Sequence, residues 1–82
     1  MTITPADVLG QLTDIIHEVS GNPRSAVGLD HSLRDDLDID SLGKSEMVAA
    51  VEQRFGVDIS AEDERHLTSV GGFVDYLTSR CS

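Results

Sequence analysis

Hydrophobic residues recur with helical spacing near the start of the chain. Thr4, Pro5 and Asp7 supply an N-cap hydroxyl, a first-turn proline and an acid near the positive end of the helix dipole. Residues 21–23, Gly-Asn-Pro, end the pattern. The apolar positions of this stretch share one face: Val8, Leu12, Ile15, Ile16 and Val19. These signals predict a first helix over residues 5–20.

A second helix is predicted to begin at Asp40 or Ser41 and to end at Gly56, a residue that readily adopts the left-handed conformation after a last turn. Its core-facing stripe consists of Met47, Val48, Val51 and Phe55. The opposite face is mixed acidic and small, and it includes Leu42. Because nothing else on that face is large and apolar, Leu42 has no evident partner in the core.

The stretch from residue 21 to residue 40 has no sustained period. Apolar side chains nevertheless recur along it, at Val27, Leu29, Leu33 and Leu37. We therefore expect a long loop that is fixed to the core by these residues. A connection of this length is unusual in a small domain, and such loops are often functional.

The last third of the chain predicts two more helices. A short acidic helix is expected after Ser60, over residues 62–67, and Thr68 or Ser69 caps a final helix. The apolar positions of the final helix are Val70, Phe73, Val74 and Leu77. No stretch alternates with period two. The predicted fold is all-α: a small bundle of three main helices plus one short helix, with a long loop between helices one and two, and residues 1–82 form a single domain.

Composition narrows the classes of function. The 82 residues include six basic and fifteen acidic side chains, for a formal charge of −9. This charge repels phosphate backbones, which disfavours nucleic-acid binding, and it attracts basic protein partners.

Cys81 is the only cysteine, so no intramolecular disulfide or CxxC metal site is expected, and we expect no role for its thiol. The chain shows no secretion signal and no apolar run long enough to cross a bilayer, so a cytoplasmic protein is expected.

The run DDLDIDSL concentrates carboxylates before a serine. Asp36, Asp38 and Asp40 match the first three ligand positions of an EF-hand calcium loop. That loop also requires glycine at its sixth position and glutamate at its twelfth, where this chain has Ser41 and Met47. The mismatch argues against a calcium site of this type. Aspartates at a helix start more often cap the helix and interact with its dipole than catalyse a reaction.

Ser41 is a poor candidate for a catalytic nucleophile. It lacks the GxSxG setting, and His17, His31 and His66 are scattered through the chain with no motif that would orient a base, so we expect them at the surface. An ordinary capping serine is the simplest alternative. A serine modified by another enzyme remains open, because the first turn of a helix favours an attached anion such as a phosphodiester.

The motif DSLGKSE, residues 40–46, resembles the signature of the acyl carrier proteins of fatty-acid and polyketide synthesis. The likeness continues through EQRFGVDISAEDERHLTSVGGFVDYL, residues 52–77, and covers nearly the whole chain. It implies that Ser41, flanked by Asp40 and Leu42, receives 4'-phosphopantetheine from coenzyme A through a phosphopantetheinyl transferase. Acyl or polyketide intermediates would then be held as thioesters on the arm, and the chain itself would not be an enzyme.

The resemblance also implies a docking face and a shelter for the cargo. Docking to partner enzymes would use Leu42, Glu46 and Ala49 of helix two, within an acidic surface that includes Asp36, Asp38 and Glu52. The expected partners have basic surfaces and include ketosynthase, acyltransferase and ketoreductase. The carrier itself is expected to be a monomer. The candidates for the wall of an acyl-chain pocket are Val48, Val51 and Leu67, which are at least as well explained as plain core.

One departure from the family pattern and several alternatives remain. Gly43 and Lys44 replace what is usually a polar or acidic pair, which predicts a looser and less negative first turn. A peptidyl carrier usually has Gly-Gly-His before the serine, whereas residues 38–40 here read Asp-Ile-Asp, which favours acyl cargo. A D-alanyl carrier remains possible. Outside the carriers, the main alternative is an acidic helical domain that binds basic partners and is never modified.

Overall fold

The computed structural model describes residues 4–81, and it describes side chains as far as Arg80, so the thiol of Cys81 lies outside the described part. The all-α prediction is confirmed. A single 3₁₀ turn, Arg24–Ala26, interrupts the long loop and was not predicted. The four helices are α1 (Pro5–Ser20), α2 (Ser41–Phe55), α3 (Ala61–His66) and α4 (Val70–Cys81).

The bounds of α1 follow from its caps. The Thr4 hydroxyl accepts a hydrogen bond from the Asp7 nitrogen at 3.2 Å, and the Asp7 carboxylate accepts one from the Thr4 nitrogen at 3.5 Å. This reciprocal pair is a capping box. At the other end Gly21 has a φ of 78°, and its nitrogen donates to the His17 carbonyl. The predicted span of residues 5–20 is therefore confirmed.

The core lies where α1 packs against both α2 and α4. Phe73 is its largest fully buried side chain. Each long helix contributes the stripe that the sequence predicted, except that Phe55 and Val19 are only partly buried. Leu33, Leu37 and Ile39 add three buried side chains from the loop. Burial of a leucine or isoleucine is worth about 1.5–3 kcal/mol, so the loop is held to the bundle by its own apolar residues.

Backbone hydrogen bonds fix the loop beside the start of α4. The nitrogen of Leu33 donates to the Thr68 carbonyl at 3.0 Å, and the nitrogen of Gly71 donates to the Leu29 carbonyl at 3.0 Å. This contact holds the Leu29 backbone while leaving its side chain 49% exposed. The expectation that Leu29 packs into the core is thus wrong. Val27, by contrast, is partly buried against the core.

The short helix α3 is attached to α4 mainly through polar contacts. It has no buried residue of its own, although Leu67 directly after it is buried. The Asp63 carboxylate accepts hydrogen bonds from the Tyr76 hydroxyl at 3.0 Å and from the Arg80 guanidinium at 3.4 Å. Arg80 also lies over the Tyr76 ring, 4.8 Å from its centre. Burial, assisted by the bond to Asp63, raises the pKa of Tyr76 above its usual value.

Candidate functional site

Ser41 is the first residue of α2, and its side chain is exposed. Its hydroxyl makes no hydrogen bond with any side chain or backbone group of residues 4–81. Asp40 is the N-cap: its carboxylate accepts from the Gly43 nitrogen at 2.8 Å, and its carbonyl accepts from the Lys44 nitrogen at 2.8 Å. The cap therefore uses the aspartate and leaves the serine hydroxyl available to solvent.

The segment before Ser41 alternates between buried and exposed residues. Leu37 and Ile39 are buried, whereas Asp38 and Asp40 are exposed. The Ile39 nitrogen donates to the Leu33 carbonyl at 2.8 Å, and Asp38 adopts a positive φ of 55°, a conformation that aspartate tolerates better than most residues. The apolar residues fix the backbone, and as a result the carboxylates face solvent next to the serine.

Gly43 permits a close approach between the first turn of α2 and this segment. A Cβ at residue 43 would lie 3.1 Å from Cγ2 of Ile39 and 3.3 Å from a carboxylate oxygen of Asp40. Any larger side chain would crowd both neighbours. Glycine stands at this position, instead of the usual family residue, because Ile39 packs against the start of α2 and leaves no room for a larger side chain.

The aspartates differ in what they contact. Asp36 accepts a hydrogen bond from the Ser32 nitrogen at 2.7 Å and so closes the turn that begins the acidic run. Asp35 and Asp38 are exposed. Among the described side chains of residues 4–80, no three of histidine, aspartate and glutamate lie close enough together to hold a metal ion.

The predicted docking residues fall into two groups. Leu42 is 69% exposed, and Glu46 and Ala49 are exposed beside it on α2. Asp36 and Asp38 are exposed as well. Glu52 is different, because it is partly buried and accepts a hydrogen bond from the Ile59 nitrogen at 2.9 Å. That bond ties the end of α2 to the link that leads to α3, so Glu52 has a structural contact that the sequence pattern did not indicate.

A pocket of about 250 Å³ opens beside Ser41. It lies between the loop, the first turn of α2 and Thr68, two residues before α4. Sequence reasoning did not predict it, because its walls come from segments that are distant in sequence. Its lining residues are Ser32, Leu33, Arg34, Ile39, Asp40, Ser41, Lys44 and Thr68.

The candidates for the acyl-chain wall are in a different place. Val48, Val51 and Leu67 do not line the pocket beside Ser41. They are buried in the core, with exposed fractions of 5%, 0% and 5%. The structure brings them into one hydrophobic cluster with the rest of the bundle.

Two histidines are not the free surface residues that the sequence suggested. His17 is partly buried, and its Nδ1 lies 2.8 Å from the Asn22 carbonyl. His31 is partly buried and accepts a hydrogen bond from the Gly28 nitrogen at 3.0 Å. Only His66 is exposed as expected. Each of these two rings bonds to a backbone group a few residues away, at Asn22 and Gly28, and so stabilises a turn of the loop.

Comparison with known proteins agrees with this geometry. The family model described as the phosphopantetheine attachment site matches residues 10–77. An acyl carrier protein from Acidothermus cellulolyticus is 42% identical over 79 residues, which cover 96% of this chain and 94% of that protein. The meromycolate extension acyl carrier protein of Mycobacterium leprae is 38% identical over 77 residues, covering 94% of this chain and 67% of that protein. A solved structure of the acyl carrier protein from Enterococcus faecalis has a TM-score of 0.78 at 34% identity, covering 94% and 98% of the two chains.

The helical fold and the family match define a domain that has a phosphopantetheine attachment site. Since the family model matches residues 10–77, and the relatives from Acidothermus cellulolyticus and Enterococcus faecalis match over nearly their full length, the chain belongs to the acyl carrier protein family. Its function is to carry acyl intermediates, and its prosthetic group is 4'-phosphopantetheine. The family consists of carriers rather than catalysts. None of the helices within residues 4–81 has the length and apolar character needed to span a bilayer.

Proposed function

We propose that Ser41 is the residue to which 4'-phosphopantetheine is attached. The observation that carries this proposal is the exposed hydroxyl of Ser41 at the first position of α2, with its neighbour Asp40 already serving as the cap. A partner enzyme can reach such a hydroxyl without unfolding the helix. The residues present also fit the group, because the unpaired amides and the dipole at a helix start favour a phosphodiester.

Attachment exchanges one phosphorus–oxygen bond for another. The Ser41 oxygen forms a bond to the coenzyme A phosphorus that carries pantetheine, the pyrophosphate bond breaks, and adenosine 3',5'-bisphosphate leaves. A phosphopantetheinyl transferase supplies the metal ion and the base that takes the serine proton. When bound, the prosthetic group supplies the thiol that holds the cargo as a thioester. The chain needs only to present Ser41 and hold its helix start in place, so we propose no catalytic residue.

We propose that partner enzymes dock on an acidic surface around one exposed leucine. Leu42 provides apolar area at the centre, and Glu46 and Ala49 extend the surface along α2. Asp36 and Asp38 add negative charge at the loop side, which attracts basic enzymes such as the transferase, ketosynthase, acyltransferase and ketoreductase. Glu52 lies at the far end of the surface, where its carboxylate also holds the Ile59 backbone.

For the cargo, we propose that Val48, Val51 and Leu67 form the wall against which an acyl chain rests. Val48 and Val51 lie on α2, Leu67 directly follows α3, and α3 contributes no buried residue to the core. An element held mainly by polar contacts separates from the bundle at low cost. Displacement of α3 would therefore open the core at these three side chains.

In this proposal residues 1–82 form a single acyl carrier domain that works as a monomer in the cytoplasm. Its cargo is a fatty acyl or polyketide intermediate. The alternative is an acidic helical domain that binds basic partners without ever being modified.

Incubation with a broad-specificity phosphopantetheinyl transferase and coenzyme A separates the two. Intact mass should show the gain of one phosphopantetheinyl group for the wild type and for Ser45→Ala, a matched exposed serine on the same helix. Ser41→Ala should gain nothing. An unmodified wild type would support the alternative, whereas a gain that survives in Ser41→Ala would place the attachment at another residue and overturn Ser41 as the site.

A further inference from the structure

The chain has few basic residues, and only some of them form ion pairs with its carboxylates. Of six basic side chains in a protein of formal charge −9, Arg24 and Arg80 form ion pairs with Asp14 and Asp63. Arg34 and Lys44 make no ion pair or side-chain hydrogen bond with any of residues 4–81. Cations that lack a partner among so many carboxylates are available to an anion from outside the chain.

Arg34 and Lys44 meet at one place. Both line the pocket of about 250 Å³ that also includes Ser41. Lys44 lies three residues after Ser41 on α2, a spacing that puts two side chains on the same helix face. Arg34 comes from the loop between α1 and α2. Two structural elements thus contribute one basic residue each to the lining of the pocket next to the exposed hydroxyl.

The remaining walls provide apolar and hydroxyl surface. The other lining residues include the apolar Leu33 and Ile39 and the hydroxyl-bearing Ser32 and Thr68. Asp40 also lines the pocket, but one of its carboxylate oxygens is engaged by the Gly43 nitrogen. The cations therefore offset a charge that would otherwise repel a phosphate at this position.

The chemistry of the walls matches one part of the prosthetic group. In 4'-phosphopantetheine the phosphate is followed by a carbon that carries two methyl groups, and amide groups come next. Pockets that enclose whole small ligands measure about 300–1,000 Å³. A pocket of about 250 Å³ is too small for the full arm and its cargo.

We propose that this pocket holds the phosphate end of the prosthetic arm, with Arg34 and Lys44 on the phosphodiester and Leu33 and Ile39 against the two methyl groups. The inference rests on the proposed attachment at Ser41 and adds a resting position for the arm. The rest of the arm, for which this volume is too small, then lies outside the pocket. Such a position shortens the reach of the arm in the free carrier, and a docked partner must draw it out.

The test compares apo and loaded protein by NMR, with intact mass as a separate readout of attachment. Loading should shift the backbone amide signals of Ser32, Leu33 and Thr68, which are distant from Ser41 in sequence. Nuclear Overhauser effects should appear between the methyl groups of the arm and those of Leu33 and Ile39. The double variant Arg34→Gln/Lys44→Gln, which keeps long side chains without charge, should lose these effects. Arg65→Gln, an exposed cation outside the pocket, should retain them.

Each result has a defined meaning. A wild type that gains the full mass but shows neither the amide shifts nor the Overhauser effects overturns the inference while leaving the attachment site intact. Equal effects in wild type and double variant, or an equal loss in Arg65→Gln, also overturn it. A wild type without mass gain overturns the attachment site and this inference together. Should the double variant unfold, a salt titration of the loaded wild type decides, because screening should release the arm only if charges hold it.

Discussion

The Asp40 carboxylate accepts a hydrogen bond from the Gly43 nitrogen at 2.8 Å, and this bond defines the start of α2 directly beside the exposed Ser41. One acidic side chain therefore performs the capping that a serine at a helix start would often perform. The relationship explains how the hydroxyl next to it stays unengaged, and it makes the geometry of the site depend on a side chain that does not itself react.

We expect Asp40→Ala to lower the free energy of unfolding by about 1 kcal/mol, because the cap is lost and a helix amide is left without its partner. Asp40→Asn keeps an oxygen acceptor and should lose less. Urea unfolding followed by circular dichroism measures both. Asp35→Ala, which removes an exposed carboxylate with no such bond, is the control and should change stability little. Equal losses in the two alanine variants would contradict the capping role.

The raised pKa of Tyr76 predicts that the protein loses stability at alkaline pH. Its folded-state pKa is raised above 10.0, first by burial and then by the bond to Asp63. The neutral phenol is thus favoured by the fold, so this contribution is fully present below pH 10 and is lost as the pH rises through the folded-state pKa. Because Tyr76 is the only tyrosine, absorbance of tyrosinate reports on it alone.

In that titration the folded protein should ionise at higher pH than the unfolded chain. Asp63→Asn should move the pKa of Tyr76 part of the way back, since burial, the larger cause, remains. Tyr76→Phe should lack this component of the alkaline destabilisation. A folded-state pKa at or below that of the unfolded chain would contradict the account of the contact between α3 and α4.

Two helical glycines predict opposite effects of the same substitution. A Cβ at Gly71 would lie 2.9 Å from the Leu29 carbonyl oxygen, so Gly71→Ala must push the loop away from α4 and should destabilise by about 1–3 kcal/mol. Gly10 lies in α1 with nothing within 4 Å of its virtual Cβ, so Gly10→Ala should stabilise by about 0.5–1 kcal/mol. Thermal or urea unfolding distinguishes the signs. A stabilising Gly71→Ala would refute the close contact with the loop.

Leu42 should matter for binding rather than for folding. We expect Leu42→Ala to lower kcat/KM of the transferase about tenfold, which corresponds to about 1.4 kcal/mol at the centre of an interface, with unchanged unfolding. Leu29 is the other large exposed hydrophobic residue of the described chain, and Leu29→Ala is the matched control. Steady-state loading kinetics measure the effect. Similar losses in both variants would show that Leu42 has no special place in docking.

Helix bounds were predictable wherever a cap is made by residues close in sequence. Thr4 with Asp7, and Ser60 with Asp63, form such local contacts; α1 begins where it was predicted, and α3 begins at Ala61, one residue before its predicted start. Gly21 and Gly56 likewise end helices in the left-handed conformation, with φ values of 78° and 68°. These are short-range interactions, and a sequence pattern contains all the information they need.

Contacts between distant segments were not predictable. Leu29 is apolar, but its backbone pairs with Gly71, and this position leaves the side chain exposed. Glu52 has the spacing of a surface residue and yet caps the Ile59 nitrogen across the turn after α2. The exposed position of Ser41 followed from the motif, whereas the pocket beside it depends on how the loop crosses α2, which no local pattern encodes.

The most direct test of the central claim is to locate the added group on the loaded protein by tandem mass fragmentation. The wild type is loaded to completion by the transferase with coenzyme A, and its fragments are compared with those of Ser45→Ala. The account predicts that the phosphopantetheinyl group is found in both proteins only on fragments that contain residue 41. A group on any other residue, or a fully folded wild type that carries none, would contradict it.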